Sequence, residues 1–131
     1  MLKQLGLTLS ALLMALAGFA LSALPASAAM YEVKMGSDTG QLKYVPETLT
    51  VEPGDTVSFV MNQIPPHNVV FDAGQIPGDN ALASQLSEEQ LLFSPGESYK
   101  VTFPEDAPAG EYNYYCQPHR GAGMSGKIVV E

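Results

Sequence analysis

After residue 30 the chain alternates apolar and polar positions in short runs. Tyr31, Val33 and Met35 are separated by Glu32 and Lys34, and Val57, Phe59 and Met61 stand between Thr56, Ser58 and Val60. The same period returns at Tyr99, Val101 and Phe103, at Tyr112, Tyr114 and Cys116, and at Ile128 and Val130. A period of two sends one set of side chains to a buried face and the other to water, so each run predicts a half-buried strand. Turn formers lie between the runs: Pro53 with Gly54, Pro95 with Gly96, and Pro108 followed by Gly110. Short strands separated by such turns predict an all-β, antiparallel sandwich. One stretch departs from the pattern. Residues 80–93 hold Leu82 and Leu86 a helical turn apart, with Ser87, Glu88, Glu89 and Gln90 before Leu91 and Leu92, which fits one short helical segment.

The first 28 residues are of another kind. Lys3 supplies one positive charge, residues 5–24 carry none, and Ala26 and Ala28 are the small residues a signal peptidase reads. A basic start, an apolar run and an A-x-A site predict a secretory signal peptide, residues 1–28, cleaved to leave residues 29–131 as one soluble domain. An uncleaved membrane anchor competes, because the apolar run nearly spans a bilayer. Ser10 and Gly18 interrupt that run, and no second one follows.

Charge narrows the partners. All fourteen acidic residues and five of the six basic ones lie after residue 28, so residues 29–131 carry a formal charge of −9. Such a surface argues against nucleic acid and anionic lipid, and favours a partner with a basic face.

The chain has one cysteine, which forms no internal disulfide and in an exported protein is exposed to oxidation. It is a buried core residue, a reactive nucleophile or a thiolate held by a metal. The stretch from Cys116 through Gln117, Pro118, His119, Arg120, Gly121, Ala122 and Gly123 to Met124 favours the metal, with spacing C-x-x-H-x-x-x-x-M. The only other histidine, His67, precedes the apolar run Val69, Val70, Phe71. Taken singly these residues are ordinary: a histidine is usually structural, and a methionine usually fills a core. Together they supply two imidazoles, one thiolate and one thioether, the donor set of a type 1 (blue) copper site for electron transfer. Copper is therefore the expected cofactor, one ion per chain, with His67, Cys116, His119 and Met124 as ligands. Asn68, next to the first ligand, is the candidate for tying the two ligand segments together by hydrogen bonds.

The block 112–130 resembles the copper loop of the plastocyanin family, and Pro66, His67, Asn68, Val69, Val70, Phe71 resemble that family's first-ligand segment. The tyrosines before Cys116, the Gly-Ala-Gly loop before Met124 and the helical segment in the wide gap between His67 and Cys116 distinguish this family from other blue-copper proteins. Ser125 departs from it, since an apolar residue more often follows the methionine there. The resemblance implies an eight-stranded Greek-key β-sandwich (cupredoxin-like), with copper at one end and His119 at the surface. It implies a monomeric electron carrier rather than an enzyme, peripheral to the membrane in the thylakoid lumen, receiving electrons from cytochrome f and passing them to photosystem I. Leu42, Pro66, Pro118, Gly121 and Ala122 match the family's apolar ring around the exposed histidine. Tyr115 matches a second electron entry point, Arg120 a docking position of the bacterial branch, and Glu88 and Glu89 an acidic patch of the plant proteins.

Three other functions compete on the residues alone. A catalytic multicopper domain needs further histidines, and none remains after His67 and His119. Copper delivery relies on thiol pairs or methionine clusters, and there is no C-x-x-C. A structural zinc site wants four strong ligands, for which a thioether is a poor fourth.

Overall fold

The computed structural model describes residues 28–131, so most of the signal segment read at 1–28 lies outside the described residues. The strands are β1 (Met30–Met35), β2 (Tyr44–Val45), β3 (Thr48–Val51), β4 (Thr56–Met61), β5 (His67–Phe71), β6 (Glu88–Leu92), β7 (Ser98–Thr102), β8 (Gly110–Tyr115) and β9 (Ser125–Val130). Among the described residues there is one α-helix, α1 (Asn80–Leu86), between β5 and β6, and two short 3-10 turns, Ala73–Gln75 and Arg120–Ala122. The strands form two sheets, ordered β2-β1-β4-β7 and β3-β9-β8-β5-β6. This is the cupredoxin sandwich; β2 contributes only two residues to the strand count. Not every pairing is antiparallel. β1 with β4 and β3 with β9 run parallel, because the chain visits the other sheet before returning.

The alternation places the core where the pattern points. Val33, Met35, Val57, Phe59, Tyr112, Tyr114, Ile128 and Val130 face inward and are buried. Tyr114 is the hub. Its ring lies 4.7 Å from Tyr44, 5.3 Å from Phe59 and 5.3 Å from Phe71, centroid to centroid. On β9 its cross-strand neighbour is Gly126. β5 is buried at all five positions, because neighbours flank it and α1 packs against it.

The segment 80–93 is only half helical. Asp79 caps α1 by accepting from the Leu82 amide at 3.0 Å, and Leu86 is buried in the core. At Ser87 the backbone turns extended (φ −85°, ψ 150°). Its Oγ donates to the Ala83 carbonyl at 2.6 Å and accepts from the Phe71 amide at 2.9 Å, ending the helix and starting a strand beside β5. Glu88 and Glu89 therefore stand on edge strand β6, not in a helical turn. Among the described residues no helix is long and apolar enough to cross a membrane.

Candidate metal centre

The sheet register brings the two ligand segments together. Val70 pairs with Tyr115 and Phe71 with Tyr114, so Cys116, one residue past β8, meets the start of β5 where His67 stands. The loop from Cys116 to Met124 then closes on its own backbone. The Cys116 amide donates to the Met124 carbonyl at 3.1 Å, the His119 amide to the Cys116 carbonyl at 3.2 Å, and the Met124 amide to the His119 carbonyl at 3.2 Å. These bonds pair polar backbone groups of the loop with one another, which fixes the path of the backbone that carries the three side chains.

Cys116 Sγ is 3.6 Å from Nδ1 of His67 and 3.6 Å from Nδ1 of His119. The three donor atoms all lie within 4.8 Å of one another. Ligands about 2.0–2.3 Å from a shared ion, at near-trigonal angles, stand about 3.5–3.7 Å apart, so the thiol-to-imidazole spacing fits one metal ion. His67, Cys116 and Met124 are fully buried, and His119 is partly exposed.

Surroundings prepare each donor. His67 Nε2 lies 2.6 Å from the Gln63 carbonyl, so Nε2 carries the proton and donates, leaving the Nδ1 lone pair toward the sulfur. Burial lowers the His67 pKa, opposed by the Gln63 bond and aided by nearby His119, which keeps the ring neutral and able to ligate. Burial pushes the Cys116 thiol up, while the backbone amides of Asn68 and His119 favour the thiolate. A cation held there would offset the burial cost and favour the thiolate further.

Asn68 is buried and spends its whole amide on other segments. Its Oδ1 accepts from the Gln117 amide at 2.9 Å, and its Nδ2 donates to the Gln117 side chain at 2.8 Å and to the Glu89 carbonyl at 3.0 Å. β5, β6 and the Cys116 loop are thus tied at one side chain. Tyr44, which sequence reasoning did not single out, braces the same place by donating to the Asn68 carbonyl at 2.6 Å. Gln63 and Gln117 were also missed, because they act through backbone atoms or through a partner distant in sequence.

Of the surface candidates, Pro118, Gly121 and Ala122 are exposed on the His119 loop, and Pro66 is half-buried beside His67. Leu42 is half-buried in the loop 36–43 and packs against the core. The Arg120 guanidinium stacks 3.8 Å above the centre of the Tyr115 ring and reaches the Asp72 carboxylate at 3.4 Å. That exposed ion pair is worth about 1 kcal/mol at most. Glu88 is half-buried and Glu89 exposed.

Comparison with known proteins agrees with this geometry. Residues 31–131 match the family described as copper binding proteins, plastocyanin/azurin family. Plastocyanin of Nostoc punctiforme is 48% identical over 131 residues, covering 99% of this chain and 94% of that one. Chloroplastic plastocyanin of Chlamydomonas reinhardtii is 53% identical over 100 residues, covering 76% of this chain and 66% of that one. Among solved structures, oxidised plastocyanin of the fern Dryopteris crassirhizoma superposes with a TM-score of 0.63 at 32% identity, covering 76% of this chain and 99% of that one.

Proposed function

The chain belongs to the plastocyanin/azurin family of copper-binding proteins, and from that premise we propose that it carries single electrons from cytochrome f to photosystem I in the thylakoid lumen. It is a blue-copper electron carrier, not an enzyme. In this proposal residues 1–28 direct export, and His67, Cys116, His119 and Met124 hold the copper.

Copper, when bound, supplies a couple that gains and loses one electron without bond making. The chain's own residues keep that exchange fast. The buried ligands are set by backbone hydrogen bonds within their loop and by Asn68, so little has to move between oxidation states. His119 is the ligand that reaches the surface, and this one observation carries the docking assignment. An apolar rim of Leu42, Pro66, Pro118, Gly121 and Ala122 lets a partner approach closely and sheds water on contact.

Leu42→Glu tests the port. Docking would bury an unpaired carboxylate there, so electron delivery to photosystem I slows at least about tenfold, equivalent to ~1.4 kcal/mol, at unchanged copper spectrum. Flash-induced kinetics provide the measure, and an unaltered rate contradicts the port.

Steering is tested separately. The charge of −9 on residues 29–131 attracts a basic partner face across a screening length of roughly 8 Å at physiological salt. Reaction with cytochrome f is expected to slow as salt rises, and Glu88→Lys to lower the rate several-fold at low salt only. A rate that climbs with salt means an acidic partner and docking through the apolar rim alone.

A further inference from the structure

Gly36 follows directly on β1 and is buried, with φ +87°. A Cβ at this position would overlap the carbonyl oxygen of Gln63 and lie 2.8 Å from its carbonyl carbon. Backbone atoms cannot swing aside as the end of a flexible side chain does. A larger residue at 36 therefore displaces the peptide joining Gln63 to Ile64, whose oxygen accepts the bond from His67 Nε2.

Two other features hold the same peptide. Ile64 has φ +57°, a left-handed conformation that a β-branched residue rarely adopts, and that torsion helps to aim the preceding carbonyl. Asn62 acts as a clasp: its Nδ2 donates to the Gly36 carbonyl at 2.9 Å and to Asp38 Oδ1 at 2.8 Å. The amides of Asn62 and Gln63 both donate to the Met35 carbonyl, at 3.0 and 3.2 Å.

We propose that Gly36, clasped by Asn62, is a positioning residue for the metal site, holding the Gln63 carbonyl against His67 Nε2. A ligating imidazole is oriented through its other nitrogen. Here the partner is a backbone oxygen, so the ring's orientation is governed by whatever presses on that backbone, one strand away. Loss of the contact frees the ring to rotate and changes its approach to Cys116. The inference rests on His67 being a copper ligand, and it names the residues that set that ligand's direction.

Gly36→Ala and Gly40→Ala separate positioning from general strain. Gly40 also has a positive φ, +79°, but its nearest atom to an added Cβ is Ile64 Cδ1 at 3.9 Å, so alanine there strains the backbone without pushing Gln63. NMR of the metal-free and copper(I) proteins reads the His67 Nε2 proton, and the reduction potential of the loaded protein gives an independent signature. Gly36→Ala is expected to speed exchange of that proton about tenfold, the weight of one lost hydrogen bond, and to shift the potential. Gly40→Ala leaves both at the wild-type value even where it lowers the unfolding temperature equally. Asn62→Ala, which adds no atom, is expected to act in the same direction as Gly36→Ala and decides the matter if that variant does not fold. An unchanged Nε2 proton in the folded variants, or an equal change in Gly40→Ala, overturns the proposal. If wild-type His67 ring signals do not move on copper(I) binding, the ligand assignment fails instead; proton exchange in the metal-free protein still tests the positioning.

Discussion

Replacing Cys116 with serine removes the intense visible colour of the copper(II)-loaded protein. The colour is charge transfer from a thiolate to the metal, and a serine hydroxyl neither ionises as readily nor donates from so high-lying an orbital. The buried Sγ sits 3.6 Å from both imidazole Nδ1 atoms, so its loss leaves two nitrogens that still hold some copper, now colourless and more weakly. The metal-free fold barely notices, since an oxygen replaces a sulfur in a pocket with amides ready to donate; the cost is about 1 kcal/mol. Titrating metal-free wild-type and variant proteins with copper(II) while recording the visible spectrum checks both points. Wild type turns blue to an end point of one copper per chain. An intense band surviving in Cys116→Ser removes the thiolate from the site and with it the type 1 assignment.

Gly126→Ala is expected to destabilise the sandwich strongly through a single added methyl group. An added Cβ would overlap Cζ and Oη of Tyr114 and lie 2.9 Å from Cε2. The ring cannot retreat, because Tyr44, Phe59 and Phe71 hold it at 4.7, 5.3 and 5.3 Å. Overpacking of this kind costs about 3 kcal/mol, which for a domain of this size lowers the unfolding midpoint by about 12–20 °C. Unfolding of the metal-free protein measures it. In a Tyr114→Leu background the same substitution should cost far less, because the two sites share one contact. Additive effects would mean that the ring does not lie on Gly126.

Side-chain pattern was legible in the sequence wherever local chemistry alone decided the outcome. The alternation at Tyr31, Val57 and Tyr112 marks β1, β4 and β8, and the spacing from Cys116 to Met124 marks the ligand loop. The helical period of Leu82 and Leu86 extends on paper to Glu88 and Glu89, which the structure places on β6. Nothing local shows that the Ser87 hydroxyl reaches the Phe71 amide, 16 residues back, and turns the chain into a strand. β3 has four residues and a weak pattern, and its parallel pairing with β9 is a long-range event that no window of sequence contains. The Gln63 carbonyl was invisible for a simpler reason: every residue has one, and only the fold selects which of them meets His67.

The ligand loop has a further consequence, for the order in which copper and fold come together. Cys116 and His119 are 3 residues apart, whereas His67 is 49 residues from Cys116. A chain still unfolded already offers copper a thiolate and an imidazole three residues apart. Folding adds His67 by closing the long intervening segment, at an entropic cost that grows only slowly with its length. Copper stabilises the native state by the ratio of its affinities for the folded and unfolded chains, so early capture by the short segment reduces that stabilisation below what native affinity alone implies. The same locality leaves two routes open, capture before folding or insertion into a finished site, and both end in the same coordination.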